Sequence, residues 1–390
     1  MLQNLKAKPA GDLVEIDQHH LKVEIHEGLS TIERSAWNAC FVGNLEGYDY
    51  LLAVENGGLD DFHWRYVTVE QDGMIVAAMP AFLCDYGLET TLPRGRLHTM
   101  IGWVRTIAPR FLKLKLACLG SPCTENGVVG FHPAVPPRHH GTILAKLLAG
   151  FEATAAAEGC TLVALKDMPL PLEPAFAQLL ERRGYVDTSG MPTAWRDIDF
   201  QTIDDYLATL SSGTRKDMRR KLRAASAVTV ERVSDLGPWQ ARFMELYHQT
   251  RERSEWQFED LTPAYFSGIL HHMPENAFCT VYTAKGEVLA FNLLLHDDGQ
   301  LIDKFFCMDA ERGRSYNLYY LSWFENLRYC LENGIERYQS GQAYYRNKVK
   351  LGSELTENAM FFRHTNRIAH AVLKRIAPFL AGDDGKDIAP

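Results

Sequence analysis

Two groups of residues in the last third of this chain have types and spacing that could do chemistry. The first is the run Asp309-Ala310-Glu311-Arg312-Gly313-Arg314-Ser315-Tyr316-Asn317, which sets two arginines around a glycine between an apolar stretch and a helical pattern. Free backbone N–H groups and the positive end of a helix dipole would face such a loop, so Arg312, Gly313, Arg314, Ser315 and Asn317 together suit a phosphate. The same pattern also serves as an ordinary turn. The second group is a set of titratable side chains near the carboxyl ends of predicted strands: His296, Asp303 and Lys304, then Tyr344, Tyr345 and Lys348. His296 also reads as a hairpin-end residue. Asp303, inside an apolar strand, also reads as a paired structural carboxylate, because a buried charge needs a partner whichever role it has. Lys304 is expected on the opposite face. No serine or cysteine stands beside a base in a local motif, which disfavours covalent catalysis.

The elements that must position these residues follow from the pattern. Leu301 to Met308 is short, apolar and aromatic, and follows the turn residues Asp297, Asp298 and Gly299, which predicts a buried strand. A helix is predicted from about Asn317 to Glu332, stopping at Asn333-Gly334, and a second strand from Ile335 to Gln339. Upstream, Phe278 to Ala284 and Glu287 to His296 predict a hairpin turning at Lys285-Gly286. Helices are predicted near Ile203 to Leu210, Thr214 to Ala225 and Gly237 to Glu252.

The first half repeats this order. A strand (His20 to His26), a helix (Ile32 to Phe41) and a hairpin of Tyr66 to Gln71 with Met74 to Cys84 around Asp72-Gly73 are predicted. Leu116 to Gly130 reads as a glycine-interrupted strand or loop, and Pro136-Pro137-Arg138-His139-His140-Gly141 leads into a helix from Thr142 to Glu158. Strand Thr161 to Lys166 and helix Pro174 to Arg183 follow. Two α/β halves of similar plan, residues 1–197 and 198–390, account for almost the whole chain.

At 390 residues, with 46% hydrophobic and 23% charged side chains, the composition is that of an ordinary globular protein large enough for two cores. No apolar run is long enough to span a bilayer and the N-terminus lacks a signal pattern, so a cytosolic location is expected. Eight cysteines without C-x-x-C spacing predict that most are reduced core thiols and that no metal is bound. The formal charge of −8 is unevenly spread. Thr90 to Thr124 holds Arg94, Arg96, Arg105, Arg110, Lys113 and Lys115 with no acid, interleaved with Trp103, Ile107, Phe111 and leucines. Met360 to Gly382 is also free of acids, with Arg363, Arg367, Lys374 and Arg375 beside Ile368, Val372 and Ile376. Such stretches suit either an anionic membrane surface or a core helix with a basic solvated face.

The segment Ser211-Ser-Gly-Thr-Arg215-Lys216-Asp-Met-Arg219-Arg220 resembles the Ser-x-x-x-Arg-Lys-x-x-Arg-Arg signature of tandem-GNAT acyltransferases of the FemAB-like and CelD-like group. Lys348-Val-Lys-Leu-Gly352 resembles the Lys-x-x-Leu-Gly that follows the last core strand there, and Arg183-Gly184-Tyr185 is similar to the Arg-Gly-Phe near the end of GNAT domains. The resemblance implies an α/β fold of two tandem GNAT-like domains, each a central mixed sheet flanked by helices. It implies acyl-CoA as co-substrate, gripped at its pyrophosphate by Arg312 to Asn317; the charge of the basic run Arg215 to Arg223 also suits an acyl carrier protein or membrane phosphates. In a GNAT-like mechanism His296 or Asp303 takes the amine proton and a tyrosine protonates the leaving thiolate, with Tyr344, Tyr345 and Lys348 close by. The expected activity is transfer of a long-chain acyl group to a lipid amine, of the ceramide-synthase kind, at the inner membrane face. The basic run Arg215 to Arg223 supports a rival, an aminoacyl-tRNA-dependent ligase acting on a peptide or peptidoglycan precursor. The absence of a long charged coiled segment disfavours a nucleic-acid partner. A non-catalytic binding module is the third reading.

Overall fold

The computed structural model describes residues 13–87, 113–254 and 258–380. In chain order the first half contributes β1 (Lys22–His26), α1 (Arg34–Cys40), α2 (Tyr48–Glu55), β2 (Phe62–Gln71), β3 (Met74–Gly87), β4 (Lys113–Leu119), β5 (Gly130–Phe131), α3 (His140–Ala157), β6 (Leu162–Pro169), α4 (Pro174–Arg182), β7 (Val186–Ser189) and β8 (Thr193–Asp197). The second contributes α5 (Ile203–Thr209), α6 (Ser212–Leu222), β9 (Thr229–Val233), α7 (Gln240–Arg253), α8 (Pro263–His272), β10 (Ala277–Ala284), β11 (Glu287–His296) and β12 (Gln300–Met308). After these come α9 (Arg312–Ser315), α10 (Leu318–Asn333), β13 (Arg337–Gln339), α11 (Tyr345–Lys350), β14 (Glu354–Thr356), β15 (Asn358–His364) and α12 (Arg367–Leu380).

The turns explain why the hairpins form where the sequence places them. Asp72 and Gly73 have φ of 51° and 82°, and Lys285 and Gly286 have 52° and 78°, the left-handed pairs that match the twist of two antiparallel strands. Gly334, with φ 68°, ends α10 as a left-handed cap.

The two sheets have the same plan. One runs β1-β2-β3-β4-β6-β15-β7 with β5 beside β3, and the other runs β9-β10-β11-β12-β13-β8-β14. In each, a run of antiparallel strands leads to one parallel pair, β4 with β6 and β12 with β13. Each sheet also receives a strand from the other half. β8 leaves the first half to pair with β13 and β14, and β15 leaves the second to pair with β6 and β7. The predicted division near Asp197 therefore falls at the end of a strand that already lies in the second sheet. The halves also share a core, in which Tyr50 of α2 and Trp37 of α1 join Phe243, Tyr265, Phe266 and Phe291. All eight cysteines are buried free thiols.

Of the two acid-free segments, residues 90–112 of the first lie outside the described residues, and residues 113–119 form β4. The second supplies the end of β15, where Arg363 pairs with Glu152, and α12, in which Leu373 and Ala377 are buried while Ile368 and Val372 are 77% and 54% exposed. Among the described residues, no helix is long and apolar enough to cross a membrane.

Candidate active site

The parallel pair β12 and β13 opens into a wedge. Hydrogen-bonded register holds only over Gln300–Ile302 against Arg337–Gln339, after which β13 ends and β12 continues. On its other side β12 slips against β11, so that Leu294 faces Asp303 and Leu293 faces Phe305, with Lys304 as the extra residue of a bulge. A bulge adds local twist, which turns β12 away from its neighbour just where pairing stops. The chain leaving β13 reverses sharply, with Gly341, Ala343 and Tyr344 at φ of 74°, 147° and 52°. The Ala343 value lies in a region almost reserved for glycine, a local strain of the kind found at functional sites.

Asp303 stands at the point of divergence. Its Oδ2 accepts from Asn292 Nδ2 (3.2 Å), Asn326 Nδ2 (3.2 Å) and the Tyr338 hydroxyl (3.0 Å). Removal from water raises its pKa to about 6, against the opposing charge of Lys348 and the hydrogen bonds from Asn292 and Tyr338. Across the wedge, Lys348 of α11 is buried and donates to the carbonyls of Gly341 (3.0 Å) and Ser340. Desolvation lowers its pKa to about 8, with Asp303 and Glu125 pulling the other way. The site thus holds a carboxylate and an ammonium whose pKa values bracket neutrality, the arrangement that acid–base chemistry near pH 7 needs. Nearby, Asn292 Oδ1, Gln339 Oε1 and the Tyr319 hydroxyl are buried with no hydrogen-bond partner among the described residues.

The other expected residues are placed differently from one another. His296 lies at the hairpin end of β11, between the rings of Phe278 and Tyr329 at 5.5 and 5.4 Å, where burial lowers its pKa. Tyr344 is 71% exposed at the wedge mouth, its ring 6.0 Å from that of Tyr319. Tyr345 is buried and its hydroxyl donates to Pro192 O at 2.8 Å. The loop Arg312 to Asn317 contains the one-turn helix α9. Asp309 accepts from the Arg312 N–H (2.9 Å), Nε (3.1 Å) and Nη2 (3.0 Å), while the Gly313 N–H reaches the Asp309 carbonyl at 2.9 Å. Burial works against ionisation of Asp309, but these hydrogen bonds outweigh it and hold the pKa below the usual carboxylate range. Arg312 also pairs with Glu287, Ser315 Oγ donates to Arg312 O, and Asn317 takes a left-handed conformation at the start of α10. Arg314 is exposed. The loop thus already carries its own anion, Asp309.

The sequence reading missed what Lys304 does. It is buried, and its Nζ donates to Glu46 Oε1 (2.6 Å), Glu125 Oε2 (2.8 Å) and Cys123 O (3.0 Å). Burial pushes Glu46 up to about 7, opposed by the Lys304 charge. Both glutamates come from the first half, and no local pattern marks them.

In the first half the matching wedge is filled by its own chain. β4 pairs with β6 over Leu116–Leu119 and Leu162–Leu165, and beyond that point the loop after β4 runs alongside β6. Gly127 donates its N–H to Asp167 O at 2.8 Å, and a Cβ at Gly127 would fall 2.2 Å from Lys166 O. Lys166 Nζ donates to Thr124 O at 2.9 Å.

The basic helix α6 packs Met218 inward and sets the Lys221 ammonium 3.3 Å over the Tyr320 ring, near the start of α10. Arg220 and Lys221 pair with Asp217, and Arg219 with Asp204, while Lys216 and Arg223 are exposed. Among the described residues, Glu24, His26 and Glu70 offer ligand atoms within 4.8 Å of one another. His26, however, hydrogen-bonds Thr31 and Thr68, and Glu24 pairs with Lys22.

Residues 138–381 match the profile of the FemAB-like family, described as peptidoglycan biosynthesis/recognition. Among solved structures, that of FemX is similar at 15% identity, covering 90% of this chain and 100% of that one with a TM-score of 0.59. A tandem GNAT protein from the clavulanic acid biosynthesis pathway is similar at 12% identity, covering 89% and 99%, with a TM-score of 0.54. No curated protein matches the chain. Likenesses at such low identity show the fold, that of two tandem GNAT-like domains.

Proposed function

The chain belongs to the FemAB-like family, and from that premise we propose that it is an N-acyltransferase using the β12–β13 wedge to pass an acyl group from acyl-CoA to a primary amine. The observation that carries this reading is the placement of Asp303 and Lys348 on the two sides of the wedge, with pKa values near 6 and 8. As the amine nitrogen bonds to the thioester carbonyl its protons become acidic, and one passes to Asp303. When the C–S bond breaks, the thiolate takes a proton from Lys348, which has one N–H left after bonding Ser340 and Gly341. The chain-filled wedge of the first half supports assigning the donor to the second.

The proposed acceptor is the amine of a long-chain lipid, of the sphingoid-base kind. Its support is α12, where exposed Ile368 and Val372 share a helix with Arg367, Lys374 and Arg375, a composition suited to an anionic membrane surface. A second reading, an aminoacyl-tRNA donor and a peptide amine, is favoured by one specific feature: Arg312 is engaged by Asp309 and Glu287 while α6 displays basic residues near the start of α10.

The two are separated by supplying long-chain acyl-CoA and a long-chain amine to the purified protein and following free thiol. Amine-dependent thiol release that survives ribonuclease supports the first reading. Product formation only with aminoacyl-tRNA supports the second, and no transfer from either donor overturns both.

A further inference from the structure

Glu125 lies on the loop between β4 and β5, in the first half beside Glu46, yet it bonds three residues from the last third of the chain. Its carboxylate accepts from Lys304 at 2.8 Å. Its main-chain carbonyl accepts from Gln342 Nε2 at 3.0 Å and Asn358 Nδ2 at 3.3 Å. Lys304 is the bulged residue of β12, next to Asp303. Gln342 lies in the reversal that ends the β13 arm, directly after Gly341, whose carbonyl receives Lys348. One residue of the first half therefore holds both arms of the wedge in the second.

The loop that carries Glu125 is itself fixed. Lys166 Nζ donates to Thr124 O, Gly127 N–H to Asp167 O, and the Tyr50 hydroxyl to Cys123 O. Gln342 is held from its other side by Met191 O at 2.9 Å, and Lys304 by Glu46 at 2.6 Å. The side chains of Lys304, Glu46 and Glu125 are only 3%, 9% and 13% exposed, so these ion pairs are poorly screened by solvent.

We propose that Glu125 is a positioning residue of the acyl-transfer site, a clasp supplied by the first half that ties β12 to the turn after β13 and so sets the separation of Asp303 and Lys348. This rests on reading the wedge as the acyl-transfer site. It gives the filled wedge of the first half a task, since the loop that fills it is the one that delivers Glu125.

The charged and titratable groups around Glu125 are Asp303 and Lys304 of β12, Lys348 of α11 and Glu46 ahead of α2. Lys166 and Glu259 stand behind them, and the Tyr50 and Tyr265 phenols flank Lys304. The charge of Glu125 raises the pKa of both Asp303 and Lys348. Glu125→Gln removes that charge, so both limbs of the pH–rate profile should move to lower pH together, which a purely structural defect would not produce. Glu125→Asp keeps the charge but shortens the reach, and Gln342→Ala releases the other arm. Both should lower kcat with the limbs in place.

The experiment uses the full chain and two readouts. Amine-dependent thiol release should show Glu125→Gln reduced about tenfold to a hundredfold in kcat, as for a misplacement of order 1 Å, with both limbs shifted acidward. Hydrogen–deuterium exchange should show faster exchange in residues 300–308 for Glu125→Gln and in residues 337–344 for Gln342→Ala. Wild-type rate and limbs in the variant, or unchanged exchange in both segments, overturn the proposal. Should Glu125→Gln fail to fold, Glu125→Asp and Gln342→Ala decide it by the same rate and exchange criteria. Absence of transfer by the wild type would refute the reading of the wedge, and exchange alone would then decide the clasp.

Discussion

Tyr338 of β13 donates its hydroxyl proton to Asp303 of β12 at 3.0 Å, joining the two parallel strands at the place where they part. The bond stabilises the ionised carboxylate and so lowers the pKa of Asp303 against the effect of burial. Tyr338→Phe removes it and leaves Asn326, which also bonds the Tyr338 hydroxyl, short of a partner. The acid limb of the pH–rate profile should move to higher pH, with a stability loss of about 1 to 3 kcal/mol. An unmoved limb in the variant would disconnect Asp303 from the rate.

Asp303 and Lys348 are each held in a state that folding disfavours. The Asp303 pKa is raised, so its ionised form costs stability above about pH 6, and the cost disappears as pH falls through that value toward the unfolded pKa. The Lys348 pKa is lowered, so its protonated form costs stability below about pH 8, and the cost disappears as pH rises toward the unfolded value. Both costs are therefore present between about pH 6 and 8, where both groups are charged. Asp303→Asn should lower transfer by about 10²- to 10⁴-fold while leaving the melting temperature at pH 7.5 equal to or above that of the wild type. A strongly destabilised variant would make Asp303 a structural ion partner instead.

The Asp309 carboxylate takes the main-chain and guanidinium N–H groups of Arg312, which a phosphate bound at this loop would use. Asp309→Asn should therefore tighten CoA binding severalfold, and Arg314→Ala should weaken it at least about tenfold, the loss of one charge-assisted contact. Calorimetry on the two variants checks both signs. Unchanged affinity in both would place the donor phosphates elsewhere.

The exposed Ile368 and Val372 of α12 supply a membrane test within the described residues. Replacing both with serine, together with Lys374→Gln and Arg375→Gln, should reduce flotation on anionic vesicles, with about 1 kcal/mol from each basic residue near the surface. Acylation of a long-chain amine should slow while that of a short amine is unchanged. Equal flotation of variant and wild type would leave α12 as an ordinary folded face and remove the support for a lipid acceptor.

Much of the local fold was legible in the sequence. The Asp72-Gly73 and Lys285-Gly286 turns and the Gly334 cap mark their elements because left-handed backbone selects a few residue types. The exchange of β8 and β15 was not legible, because both are short and their partners lie in the opposite half of the chain. Asp303 stands out in the sequence as a charge inside an apolar strand, and in the structure it lies at the wedge opposite Lys348. Lys304 reads as a titratable candidate beside it, on the opposite face. Its partners Glu46 and Glu125 lie 258 and 179 residues away, where no spacing rule reaches. His296 stands out in the sequence by its chemistry alone, and the register puts it at the far end of the hairpin from the wedge mouth.

The most direct test is the rate of free CoA release from long-chain acyl-CoA across pH 5 to 9, measured with and without a long-chain amine, for the wild type and for Lys348→Met. The account predicts release only with amine, a bell with limbs near pH 6 and 8, and a variant slowed by about 10²- to 10⁴-fold whose alkaline limb is gone. Release that ignores the amine, or a variant with the wild-type rate and both limbs, would contradict it.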